Sequence, residues 1–146
     1  MPAVAIKELL VYVLTALAAL VVVLTRLRLR RRVAGRVVMG GLMPAVHTIA
    51  GGVGLVIWVI FLIAPTRSAN GGTWADLLGI LGLLCLWLVV VAGLFILVRW
   101  MPSRGRHAGE TTADSWSSGP WLSLLAHLGM FLAVTYFTWA YATSVV

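Results

Sequence analysis

Acidic residues are almost missing from this chain: Glu8, Asp76, Glu110 and Asp114 are the four in 146 positions, and charged residues of both signs make up only 10%. A water-soluble domain carries about 25% charged and roughly 45–50% apolar residues. Here 62% of residues are apolar and the mean hydropathy is +1.05, so there is too little polar surface to cover a soluble globule. The lone cysteine, Cys85, excludes a disulfide within the chain. It sits midway along an apolar run with no thiolate-stabilising neighbour in sequence, which makes it a packing residue. The sequence also lacks a serine elbow, a phosphate loop, an HExxH string and paired carboxylates inside an apolar run. The chain is therefore not expected to be an enzyme on its own.

What it has instead is four long apolar runs. A membrane-spanning helix needs about 20 mostly apolar residues, because the hydrocarbon layer is roughly 30 Å thick and each helical residue rises about 1.5 Å. Residues 9–25, 42–64, 75–98 and 120–143 meet that requirement. The first run is the shortest and can extend toward Ala3 if Lys7 and Glu8 lie at headgroup level. Thr73-Trp74-Ala75-Asp76 has the form of a capping box, and Ser118-Gly119-Pro120 offers a cap followed by proline at the first helical position. Trp74, Trp100, Trp116, Trp121 and Trp139 fall near the ends of the runs, as aromatic belts do.

The basic residues give direction. Nine of the eleven Lys and Arg lie in two connections, 26–41 and 99–119, and only Lys7 and Arg67 lie on the other side. Short Arg-rich loops stay cytoplasmic. The expected fold is thus all-α, a single integral membrane four-helix bundle, up-down-up-down with both termini outside, in a bacterial cytoplasmic membrane. The net charge of +7 belongs wholly to the cytoplasmic loops. It suits anionic headgroups, at about 1 kcal/mol per basic residue near the surface, and argues against nucleic acid. Other membrane-protein subunits are expected partners.

Within the runs, ionisable side chains are nearly confined to His47 and His127. Such residues are costly to bury unpaired and are functional candidates for that reason. His47 is five positions into the second run and His127 seven into the fourth, and both runs start at the cytoplasmic face. At about 1.5 Å per residue the two imidazoles share one depth, roughly 8–10 Å in. The second and fourth helices of an up-down-up-down bundle are parallel and diagonal, so the rings can point at each other. Two opposed imidazoles are what the iron of a b-type haem requires. Small residues that could admit a flat macrocycle are Ala18 and Ala19 on the first helix, Ala92 and Gly93 on the third, and Gly51 and Gly54 on the face of His47. Arg36 and Arg99 are placed to meet haem propionates.

This layout resembles the four-helix core of membrane b-type cytochromes, with His47 in Ala45-Val46-His47-Thr48, His127 in Ala126-His127-Leu128-Gly129, and Gly93 as a porphyrin contact. The resemblance implies a haem-carrying electron-transfer subunit serving a quinone or a partner redox subunit. Two-haem members of that class carry a second histidine about four turns along each ligand helix; Ile60 and Ala140 stand near those places here, which implies one haem. Other readings stay open. The histidines could satisfy local hydrogen bonds in a haem-free accessory, assembly or scaffold subunit, whose glycines serve close helix packing. Two histidines make an incomplete zinc site. Small-solute transport is disfavoured by the lack of charged groups along any path. Glu8 adjoins Lys7 at the outer end, too shallow for the proton site of a small multidrug exporter, and His107 belongs to a solvated loop. The polar stripe Glu8, Tyr12, Thr15 and Ala19 is expected to turn inward. The face His127, Phe131, Val134, Thr138 and Tyr141 is expected to form interhelical hydrogen bonds.

Overall fold

A computed structural model describes residues 2–32, 42–64, 74–100 and 121–146, and the side chains of 6–24, 45–64, 74–98 and 124–146. Those residues form α1 (Pro2–Arg32), α2 (Leu42–Ile63), α3 (Trp74–Trp100) and α4 (Trp121–Ala142). Each contains a stretch long and apolar enough to cross a membrane: Ile6–Leu24, Ala45–Ile63, Trp74–Val98 and Leu124–Ala142. Three helices agree with the expected runs to within two residues. α1 does not. It covers 31 residues, beginning before Leu9 and continuing through Arg32, so the arginines 26–32 are helical rather than part of the first connection. The physical reason is local: Arg and Leu are both good helix formers, and no Gly or Pro interrupts Arg26–Arg32. The end of the apolar stretch at Leu24 is therefore not the end of the helix.

Pro44 sits in the first turn of α2, where the missing N–H would have had no intrahelical partner anyway. Asp76 lies in the first turn of α3, where a carboxylate is favoured by the helix dipole. Thr73, Ser118, Gly119 and Pro120 of the expected caps lie outside the described residues.

The helices neighbour one another in the cyclic order α1, α2, α3, α4, which sets α2 and α4 on a diagonal. The α2–α3 pair is antiparallel and the closest. A Cβ built on Gly54 would come within 2.7 Å of the Cβ of Cys85 and 3.3 Å of its carbonyl carbon, and one on Gly82 within 3.2 Å of the Trp58 backbone. Cys85 is a free thiol packed at this seam. Such close backbone approach lets van der Waals contact hold the two helices together.

The packed core lies toward the far end of the bundle from the arginines. Trp58, Phe137, Leu86, Val11 and Val134 are its large fully buried side chains. The ring of Trp58 stacks on Phe137 at 5.1 Å and meets Phe61 at 5.2 Å, while Phe61 meets Tyr141 edge-on at 5.5 Å. Polar groups within the bundle are matched. Trp58 Nε1 donates to Thr15 Oγ1 (3.2 Å), Trp87 Nε1 donates to Thr138 Oγ1 (3.0 Å), and the Tyr141 hydroxyl donates to the Asp76 carbonyl (3.0 Å). Among the described residues no buried side-chain nitrogen or oxygen lacks a partner. At the same far end the Tyr136 hydroxyl donates to the Lys7 carbonyl (3.1 Å), and the Lys7 ammonium lies 5.3 Å from the Trp139 ring centroid.

The polar stripe of α1 divides. Thr15 is buried and Ala19 half-buried, but Tyr12 is exposed and its hydroxyl donates to Glu8 (3.4 Å). The i to i+4 spacing lets the phenol turn outward to its own helix neighbour instead of inward. α4 closes with Val145 N donating to the Ala140 carbonyl (2.8 Å) and Ser144 N to the Tyr141 carbonyl (3.1 Å), with Ser144 at φ 54°. This paired pattern is a Schellman turn, and it returns Val146 to the core.

Candidate functional site

His47 projects from the first half of α2 and His127 from the first half of α4, each half-buried. Their ring centroids are 6.1 Å apart and their planes are inclined by 21°. They meet above Gly93 of α3: a Cβ built there would lie 2.8 Å from His127 Cδ2, 3.0 Å from His47 Cε1 and 3.2 Å from His127 Nε2. Glycine is therefore what lets α3 form the floor of the pair. Any larger residue would require the imidazoles to move. α2 and α4 are diagonal, so side-chain length and this missing methyl let the rings come together.

His47 is held on one side. Its Nδ1 lies 3.1 Å from the Val89 carbonyl oxygen, one turn before Gly93 on α3. A carbonyl only accepts, so the contact places the ring proton on Nδ1 and leaves Nε2 with its lone pair. A histidine whose other nitrogen is tied to a backbone carbonyl is the usual arrangement of a metal-bound imidazole. The Val89 side chain is buried and touches the seam at Gly51, where an added Cβ would meet Val89 Cγ2 at 3.6 Å. Gly51 thus packs α2 on α3 one turn from His47 rather than bordering the rings.

Of the other residues singled out from sequence, Ala92 is buried beside Gly93 and Ala18 and Ala19 are half-buried on α1. Arg36 and the side chain of Arg99 lie outside the described residues, as does His107. Val89 was not singled out from sequence. Its contribution is a carbonyl oxygen, which every residue has, so no sequence signal could have marked it.

Among the described residues no group of three or more His, Cys, Asp and Glu comes together. The donor set is thus two imidazoles, which suits axial ligation on opposite faces of a metal rather than a closed four-ligand shell. The separation fits the same chemistry. Two imidazoles on one metal, at about 2.0 Å per metal–nitrogen bond, put their ring centres roughly 6 Å apart. No family model, curated protein or solved structure matches the chain.

Proposed function

We propose that this chain is a small integral membrane electron carrier that holds one b-type haem between His47 and His127. The observation that carries the reading is the pairing of the two rings at 6.1 Å over Gly93. In this reading His47 and His127 would hold the haem iron through ring nitrogens, Val89 would fix the His47 tautomer through its carbonyl, and Gly93 would leave space beside the pair. Ala19 and Gly51 would keep the surrounding helices slender, and the sequence offers Arg36 and Arg99 as candidates to balance propionate charge. The bound group supplies a reversible one-electron change. The protein's share of the chemistry would be to orient the two imidazoles and to keep other ligands from the iron.

Four apolar helices of spanning length support insertion in a membrane. The distribution of arginine supports an orientation with residues 26–41 and 99–119 on the cytoplasmic side and both termini outside. Anionic headgroups and other membrane subunits are the proposed neighbours.

A reduced-minus-oxidised optical spectrum tests the haem directly. Protein expressed with ample haem should show a shifted Soret band and a sharp α-band, and His47→Ala and His127→Ala should each abolish them. A colourless preparation, or bands that persist in both variants, would leave the haem-free accessory subunit as the better account.

A further inference from the structure

The two imidazoles converge on one small volume. The place a Cβ would take on Gly93 lies 3.0 Å from His47 Cε1 and 3.2 Å from His127 Nε2, so both rings turn an edge to the same missing methyl. With His47 Nδ1 committed to the Val89 carbonyl at 3.1 Å, the donor that His47 keeps for a ligand is Nε2. The ring centres are 6.1 Å apart, the span of a linear nitrogen–metal–nitrogen unit at about 2.0 Å per bond.

What surrounds the pair selects among ions. Among the described residues no Asp, Glu, Cys or third His joins it. Cys85 stands eight residues before Gly93 on α3, about 12 Å away along the helix. An ion between the rings therefore meets two neutral nitrogens and no compensating anion. Zn(II) requires four ligands and Cu(II) a tetragonal set. The cost of taking an ion out of water also rises with the square of its charge. A monovalent d10 ion is satisfied by two donors in line and carries the least charge, and copper is a metal that imidazole suits.

We propose that the haem-free chain holds one Cu(I) ion, two-coordinate and linear, between Nε2 of His47 and Nε2 of His127 above Gly93. Two copper–nitrogen bonds form, those to the delivering ligand break, and the oxidation state does not change. The site does not rest on the haem reading; ion and haem use the same two side chains and exclude each other.

The test uses haem-free full-length protein carrying Cys85→Ala, so that no thiol competes, in detergent under nitrogen. It is titrated with Cu(I) bicinchoninate, whose colour fades as the metal is taken up. One copper per chain should be transferred, and X-ray absorption should show two nitrogen neighbours and no sulfur. His47→Leu and His127→Leu should each weaken uptake by more than about 100-fold, beyond what changes around a metal site's ligands cost. Gly93→Ala keeps both ligands but displaces the rings, and should weaken it by about 10–100-fold. No uptake, a sulfur neighbour, more than two nitrogens, displacement of the copper by equimolar Zn(II), or uptake unchanged in any of the three variants would overturn the proposal. The absorption measurement needs no ligand variant, so it decides even if the leucine variants fail to fold. A chain that takes copper but stays colourless with haem defeats the haem reading alone. One that shows haem bands but leaves the copper with bicinchoninate defeats this proposal alone.

Discussion

Gly54 and Cys85 show how little freedom a single position has at the α2–α3 seam. A methyl on Gly54 would meet the Cys85 Cβ at 2.7 Å and backbone atoms of Cys85 and Leu86 at 3.3 Å, and backbone cannot swing aside as a side-chain tip can. Gly54→Ala should therefore destabilise the bundle by about 1–3 kcal/mol, the usual range for overpacking, read as a lowered midpoint of thermal unfolding in detergent. Adding Cys85→Ala should not rescue it, because alanine keeps the offending Cβ. Full recovery in the double variant would show that the sulfur, not the backbone approach, sets the contact. Ser144 offers the opposite sign. Its φ of 54° lies in the left-handed region that favours glycine. Ser144→Gly should raise the midpoint by the equivalent of about 0.5–1 kcal/mol, and a lowered midpoint would mean that the hydroxyl makes a contact worth more than the strain.

At the scale of the helix, the four apolar runs were legible because a stretch of lipid-compatible residues and a stretch of spanning helix are nearly the same thing. They separate in α1, where hydropathy fails at Arg26 but helix propensity continues to Arg32. The depth of the two histidines was also legible by counting residues, since rise per residue is fixed, and the rings do lie together. What counting could not give is azimuth. Tyr12 shares the spacing of Glu8 and Thr15 yet points outward. Of the bonds that lock α4 to α3, Thr138 and Tyr141 lie on the face expected to make them, while their partners Trp87 and the Asp76 carbonyl were not marked by the sequence. Trp87→Phe removes the donor to Thr138, one of the α3–α4 ties. It should cost about 0.6 kcal/mol and no more than about 1.7, the range for single hydrogen bonds between membrane helices. A larger loss in a chemical-denaturation series would point to lost ring packing with Phe131, which Trp87 meets edge-on at 6.0 Å.

The whole molecule is asymmetric end to end, and its orientation can be read independently of any cofactor. In a Cys85→Ala background, cysteine placed at Ala34 and at Asn70 should react with an impermeant maleimide from opposite faces of the membrane. Ala34 should be protected in intact cells and Asn70 labelled. Labelling of both from one face would overturn the single crossing between them, and labelling of Ala34 with Asn70 protected would reverse the assigned direction. This orientation rests on composition and the placement of basic residues, because a bilayer would constrain the whole chain at once. The arrangement around the rings was less legible. It depends on which glycine of the seven described lies under them, and only Gly93 does.

The glycine seam between α2 and α3 also bears on assembly order. Those two helices are sequential, antiparallel and in backbone contact, so they can associate as a hairpin before α1 or α4 arrives. Within that hairpin His47 already meets its floor at Gly93 and its anchor at Val89. One imidazole is thus prepositioned in half a protein, and docking of α4 becomes the event that completes the pair. A chain severed between α1 and α2 should reassemble from coexpressed halves, whereas one severed between α2 and α3 loses the template on which everything else is laid down.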